Sequence, residues 1–200
     1  MSSPRIASKQ RKTAETDISV SINLDGTGKS DISTGLGFYN HMLEAFARHG
    51  RFDLEIRATG DLEVDTHHTI EDVAIVLGQA IDSALGDRDG IVRMGDATVP
   101  LDEALIQSVV DISGRSHAEV NFSFGPDAIG EVPAEMIPHV FHSLANGARL
   151  TVHIRQLSGV NNHHIAEAAM KALGRSLDMA TTADPRITGS VPSTKETLTN

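Results

Sequence analysis

The string His-His-x-x-Glu occurs twice, in VDTHHTIEDVAI at residues 64–75 and in GVNNHHIAEAAM at residues 159–170. Recurrence at identical internal spacing constrains the chain more than any bulk property, because it points to two copies of one folding unit. After each pair the apolar residues return at helical intervals: Ile70, Val73, Ala74 and Leu77 in the first copy, and Ile165, Ala168, Ala169, Ala172 and Leu173 in the second. Each motif therefore opens an amphipathic helix, with Asp65-Thr66 and Asn161-Asn162 as N-cap candidates.

The doubling extends outward. DISVSINL (17–24) alternates like a half-buried strand, and so does HAEVNFSF (117–124). YNHMLEAFARHG opens an amphipathic helix at His41, and HVFHSLANGARL carries His142 101 positions on. RFDLEIRA (51–58) and RLTVHIRQ (149–156) are again alternating strands, each followed by its His pair. The expected architecture is α+β: one domain over residues 1–200, built from two ββαβα-type repeats, approximately 11–90 and 91–185, with a short C-terminal tail. Between the repeats lie Gly-rich turns and a strand near 104–112, while FGPDAIGEVPAE reads as a variable loop without nameable chemistry.

Duplication makes the histidines informative. Six of ten pair off as His41 with His142, His67 with His163 and His68 with His164; adding Glu71 and Glu167 gives six imidazoles and two carboxylates, enough for two metal sites of four ligands. At about 100° per residue, each glutamate can reach either histidine of its pair while the adjacent histidines diverge, so adjacent imidazoles suit different ions. With no cysteine in the chain, a transition metal here must use imidazole and carboxylate, a set that manganese, iron, zinc or nickel accepts. The zinc-peptidase pattern H-E-x-x-H and its inverse are absent, since residue 72 is Asp and residue 168 is Ala.

The cations supply a second theme. Arg115 sits in the turn SGRS, Arg88 and Arg93 lie among glycines, Ser193 and Lys195 belong to the tail, and Lys171 stands one helical turn after Glu167. Such donors suit a phosphate oxyanion. A formal charge of −10 argues against nucleic acid. No run approaches a membrane span and the N-terminal stretch lacks a signal-peptide core, so a cytoplasmic location is expected.

The strings NHML, HHTIEDV, GDRDGI, LDEALI, DISGR, FHSLA, HIRQLSG, NNHHIAEA and PSTK resemble the imidazoleglycerol-phosphate dehydratase family of histidine biosynthesis, from about Arg11 to Lys195. The resemblance implies elimination of water from imidazole glycerol phosphate, a duplicated fold with helices packed between two four-stranded sheets, and a 24-subunit homo-oligomer. It implies two Mn²⁺ per subunit on His41, His67, His68, Glu71, His142, His163, His164 and Glu167. Phosphate would rest on Arg93, Arg115, Lys171, Ser193 and Lys195, and Glu15 would join Glu71 and Glu167 among the catalytic carboxylates, set against the reacting glycerol carbons. Two rivals account for part of the pattern: a metal store, which has no use for the cations, and a di-metal phosphohydrolase, whose sites are richer in Asp.

Overall fold

The computed structural model describes residues 4–198; residues 1–3 and 199–200, the extremes of the N-terminal stretch and of the tail, lie outside the described residues. The first half runs β1 (Ile6–Lys12), β2 (Thr16–Asn23), β3 (Ser30–Ser33), α1 (Gly37–Gly50), β4 (Asp53–Gly60) and α2 (His67–Leu85). The second runs β5 (Met94–Leu101), β6 (Ala104–Asp111), β7 (His117–Asn121), α3 (Met136–Ala148), β8 (Thr151–Ser158) and α4 (Asn162–Thr181). The strands form two four-stranded sheets, ordered β1-β2-β4-β3 and β5-β6-β8-β7. In each sheet only the short edge strand, β3 or β7, runs parallel to its neighbour. The fold is thus α+β and duplicated, its four helices packed between the sheets, and each half carries one more leading strand than the ββαβα order.

Two strand readings change. Residues 117–124 are not the counterpart of 17–24: Val20 of β2 faces Ile56 in β4, and the strand that faces the equivalent Ile154 of β8 is β6, through Ser108. β7 instead matches β3, the parallel edge strand. Alternation reveals that a segment is extended, but which neighbour it pairs with is set by tertiary packing. The segment read as Gly-rich turns also holds β5, whose Gly95 lies against α4 so closely that a Cβ there would meet Ser176 O at 2.1 Å.

Burial records the duplication more faithfully than residue identity does. Every buried position of α1 recurs in α3 98 positions on, from Phe38 and Met136 to Gly50 and Ala148. Every buried position of α2 recurs in α4 at 96, from Thr69 and Ile165 to Leu85 and Thr181. The change from 98 to 96 is absorbed between strand and helix, where residues 61–66 link β4 to α2 but only 159–161 link β8 to α4.

The helices interlock across the halves, α1 against α4 and α2 against α3. Small residues permit the approach. A Cβ on Gly174 would stand 2.6 Å from Phe46 O in α1, and one on Gly78 would stand 2.5 Å from Leu144 O in α3. Around these crossings Phe46, Phe141, Ile70, Leu77, Leu144 and Leu173 are fully or almost fully buried, so the two halves share one core. Among the described residues no helix is long and apolar enough to cross a membrane.

Candidate active site

The crossings bring side chains of opposite halves together at the helix starts. His163 and Glu167 sit one turn apart on α4, and His41 of α1 joins them: Glu167 Oε2 lies 3.1 Å from Nε2 of both histidines. On the other side His67 and Glu71 of α2 are joined by His139 of α3, whose Nε2 is 2.9 Å from Glu71 Oε1 and whose ring centroid is 5.0 Å from that of His67. In each trio the three possible ligand atoms all fall within 4.8 Å of one another. Short-range hydrogen bonds hold both His pairs, from the N-cap Asn161 in α4 and, in α2, from Asp65, one residue before the N-cap Thr66. Asp65 Oδ1 accepts from His67 N at 2.7 Å, and Asn161 Oδ1 accepts from His163 N at 2.9 Å and His164 N at 3.3 Å.

His142, the expected partner of His41, is not in either trio. It is exposed, and His139 takes the place. The reason lies in helix register: with the buried face of α3 matched to that of α1 at 98 positions, His41 falls on His139, whereas His142 is three residues further round the helix.

His68 and His164 join neither trio. Each turns its Nδ1 to a carboxylate, Asp61 Oδ2 at 3.0 Å and Glu103 Oε2 at 2.7 Å, and those hydrogen bonds raise both imidazole pKa values. Glu15, exposed in the β1–β2 turn, holds its carboxylate 3.9 Å from His68 Nδ1. Burial acts to raise the Glu167 pKa, but Lys171, with Nζ 2.7 Å from Oε1, and His41 outweigh it and hold the carboxyl at about 2.

The remaining cations gather around the tail, which is laid down on the protein. Arg93 grips Asp111 through Nε at 2.7 Å and donates to Pro192 O at 2.8 Å. Gly90 N donates to Ser190 O at 3.0 Å, and the buried Arg88 reaches Leu198 O. Ser193 Oγ accepts from Lys195 N at 3.2 Å. The turn bearing the exposed Arg115 abuts the same strap, since a Cβ on Gly114 would meet Leu198 O. Arg93, Arg115, Ser193 and Lys195 thus share one neighbourhood, while Lys171 belongs to the Glu167 trio.

A family model described as imidazoleglycerol-phosphate dehydratase matches residues 34–177, the span that contains both trios. The chain belongs to the imidazoleglycerol-phosphate dehydratase family. It is 53% identical over 198 residues to the imidazoleglycerol-phosphate dehydratase of Gluconacetobacter diazotrophicus, covering 99% of this chain and 100% of that one. The corresponding protein of a Roseiflexus species is 52% identical, with 98% of each chain covered. The crystal structure of imidazoleglycerol-phosphate dehydratase from Staphylococcus aureus superposes with a TM-score of 0.81 at 40% identity, covering 89% of this chain and 99% of that one. That of the Pyrococcus furiosus enzyme gives 0.81 at 40% identity and covers 94% and 99%.

Membership makes the chain an enzyme, a hydro-lyase of histidine biosynthesis. The dehydratase family is metal-dependent in general, and two imidazoles with one carboxylate in each trio form a donor set that fits a divalent first-row metal. Beyond the histidine register, the dehydratase has supporting residues that its sequence did not single out. Asp61 and Glu103 hold the outward histidines. Glu131, in the loop read as without chemistry, accepts from Phe38 N at 3.0 Å at the start of α1 and so fixes the helix that carries His41. The Phe38 ring in turn packs 5.1 Å from that of His163. An acid in a long loop carries no local signal that it will cap a distant helix. The buried register of α3, by contrast, is readable in its apolar spacing.

Proposed function

We propose that the chain dehydrates D-erythro-imidazole glycerol phosphate to imidazole acetol phosphate, in the cytoplasm, with two Mn²⁺ per subunit. The observation that carries this reading is the pair of trios, each a bis-imidazole and one carboxylate assembled across the halves, each leaving one neighbouring histidine outside. His41, His163 and Glu167 would hold one ion and His67, Glu71 and His139 the other. His68 and His164, facing away from their own trios, would each complete a site on a neighbouring copy in a 24-subunit assembly, giving four protein ligands per ion.

When bound, the ions would supply Lewis acidity to the substrate's imidazole, which eases departure of hydroxide from the carbon attached to the ring. The protein does the rest. Glu15, exposed beside His68, would take the proton from the next carbon, so that loss of water leaves an enol which ketonises there. Arg93, Arg115, Ser193 and Lys195 would grip the phosphate from the tail side and Lys171 from the trio side, so that binding energy far from the reacting carbons serves their orientation. Lys171 also keeps Glu167 ionised as a ligand.

Incubating the Mn²⁺-loaded enzyme with the substrate tests the reading. The ketone product should form with its phosphate ester intact. Release of inorganic phosphate, or equal turnover after exhaustive chelation, overturns it.

A further inference from the structure

Glu15 and Glu103 occupy matching places in the duplicated fold. Each lies in the turn joining the first two strands of its half, and they are 88 positions apart, the same offset that relates Ala7–Ile22 in the first sheet to Gly95–Val110 in the second. Each also stands by the outer histidine of its half, at 3.9 Å from His68 Nδ1 and 2.7 Å from His164 Nδ1. The halves differ in what else is there. In the first, residues 61–66 provide Asp61, which takes His68 Nδ1 at 3.0 Å. In the second, the shorter connection is Gly159, Val160 and Asn161, and it contains no acid.

Glu103 fills that gap with both oxygens. Oε2 bonds His164, while Oε1 accepts from Val160 N at 3.2 Å and Asn161 N at 2.9 Å. It thereby ties the β5–β6 turn to the cap of α4 and to the imidazole in one side chain. These bonds, His164 foremost, hold its carboxyl at about 2. Asp61 does the corresponding holding in the first half, and Glu15 is left more than half exposed, with a side-chain relative accessibility of 55%.

We infer that Glu103 is the positioning residue of His164, doing in the second half what Asp61 does in the first, so that of the two matching turn glutamates only Glu15 stays uncommitted. The inference rests on His164 being a metal ligand, as proposed above. An imidazole whose Nδ1–H is held by a carboxylate presents its Nε2 lone pair in one tautomer and one direction, and losing such a partner typically costs about 10–100-fold in metal affinity. At the offset of 98 that relates β4 to β8, Asp61 falls on Gly159, which has no acid to offer, and in the second half the turn glutamate holds the imidazole instead.

Mn²⁺ titration of the metal-free enzyme, read by the electron paramagnetic resonance of the free ion, tests this alongside turnover. Glu103→Ala should bind one of its two ions about 10–100-fold more weakly, and excess Mn²⁺ should restore its turnover. Glu103→Gln, which retains an acceptor for Nδ1–H, should recover most of the affinity. Glu15→Gln should bind both ions as the parent does and lose turnover that no excess of Mn²⁺ restores. Parental Mn²⁺ affinity in Glu103→Ala overturns the inference alone; a parent enzyme that binds no Mn²⁺ overturns the proposed function with it. If Glu103→Ala does not fold, Glu103→Asp decides: one methylene shorter, it cannot reach the loop and His164 together. Weakened binding of one ion then supports the inference, and parental binding overturns it.

Discussion

His139 of α3 reaches across the seam between the halves to place Nε2 2.9 Å from Glu71 Oε1 of α2, as His41 of α1 does 3.1 Å from Glu167 Oε2 of α4. Neither half contains a complete trio. The same helix crossings that bury the core therefore assemble both candidate metal sites.

If each trio holds a Mn²⁺ ion as proposed, His139→Ala should lose one of the two and with it dehydration, whereas His142→Ala, altering an exposed side chain outside both trios, should retain both ions and parental turnover. Elemental analysis after dialysis, with a turnover assay, distinguishes the two. Loss of metal from the His142 variant would restore the original pairing of His142 with His41.

Gly174→Ala would set a methyl 2.6 Å from Phe46 O and 2.9 Å from Gly50 N, backbone atoms that yield only if α1 moves off α4. The expected cost is about 1–3 kcal/mol of stability, read from denaturant unfolding. Because His41 rides on α1, the ion held with His163 and Glu167 should weaken as well. A variant as stable as the parent would mean that the helices separate without strain.

Arg115→Ala removes an exposed cation beside the tail strap. Losing a charge-assisted bond to phosphate costs about 1.5–3 kcal/mol, so KM should rise roughly ten- to hundredfold while kcat changes little. Inorganic phosphate should inhibit the variant correspondingly less. Unchanged inhibition takes Arg115 out of the phosphate site. Lys171→Ala is a less selective probe, since it also strips Glu167 of its partner 2.7 Å away.

If His68 and His164 complete sites on neighbouring copies, metal holds the assembly together and protons compete with it. Their pKa values lie above the ordinary imidazole value because Asp61 and Glu103 favour the protonated ring. Competition therefore begins at a higher pH than for a free histidine and becomes complete as pH falls below about 6. Chelation at neutral pH, or mild acid, should convert the large oligomer into smaller species, and Mn²⁺ at neutral pH should rebuild it. Sedimentation velocity checks this, and a metal-free enzyme of unchanged size would show that the ions bridge no subunits.

The sequence by itself determined the duplication, the two His-Glu helices and most of the ligand chemistry, because those are local properties. Ile70, Val73 and Leu77 recur at helical spacing whatever they later pack on, Asn161 caps the helix it precedes, and a missing cysteine is missing in any fold. Tertiary structure alone decided which strand neighbours which, so β6 rather than residues 117–124 answers to β2. Packing likewise brought His139 rather than His142 beside His67 and Glu71, and although that register could have been read from the apolar face of α3, matching histidine to histidine hid it. Asp61, Glu103 and Glu131 were beyond reach, since a carboxylate's role depends on what a loop of a given length carries it to. Pairing and loop reach are long-range and are settled when the shared core closes, whereas helical periodicity and capping are settled within a few residues of chain.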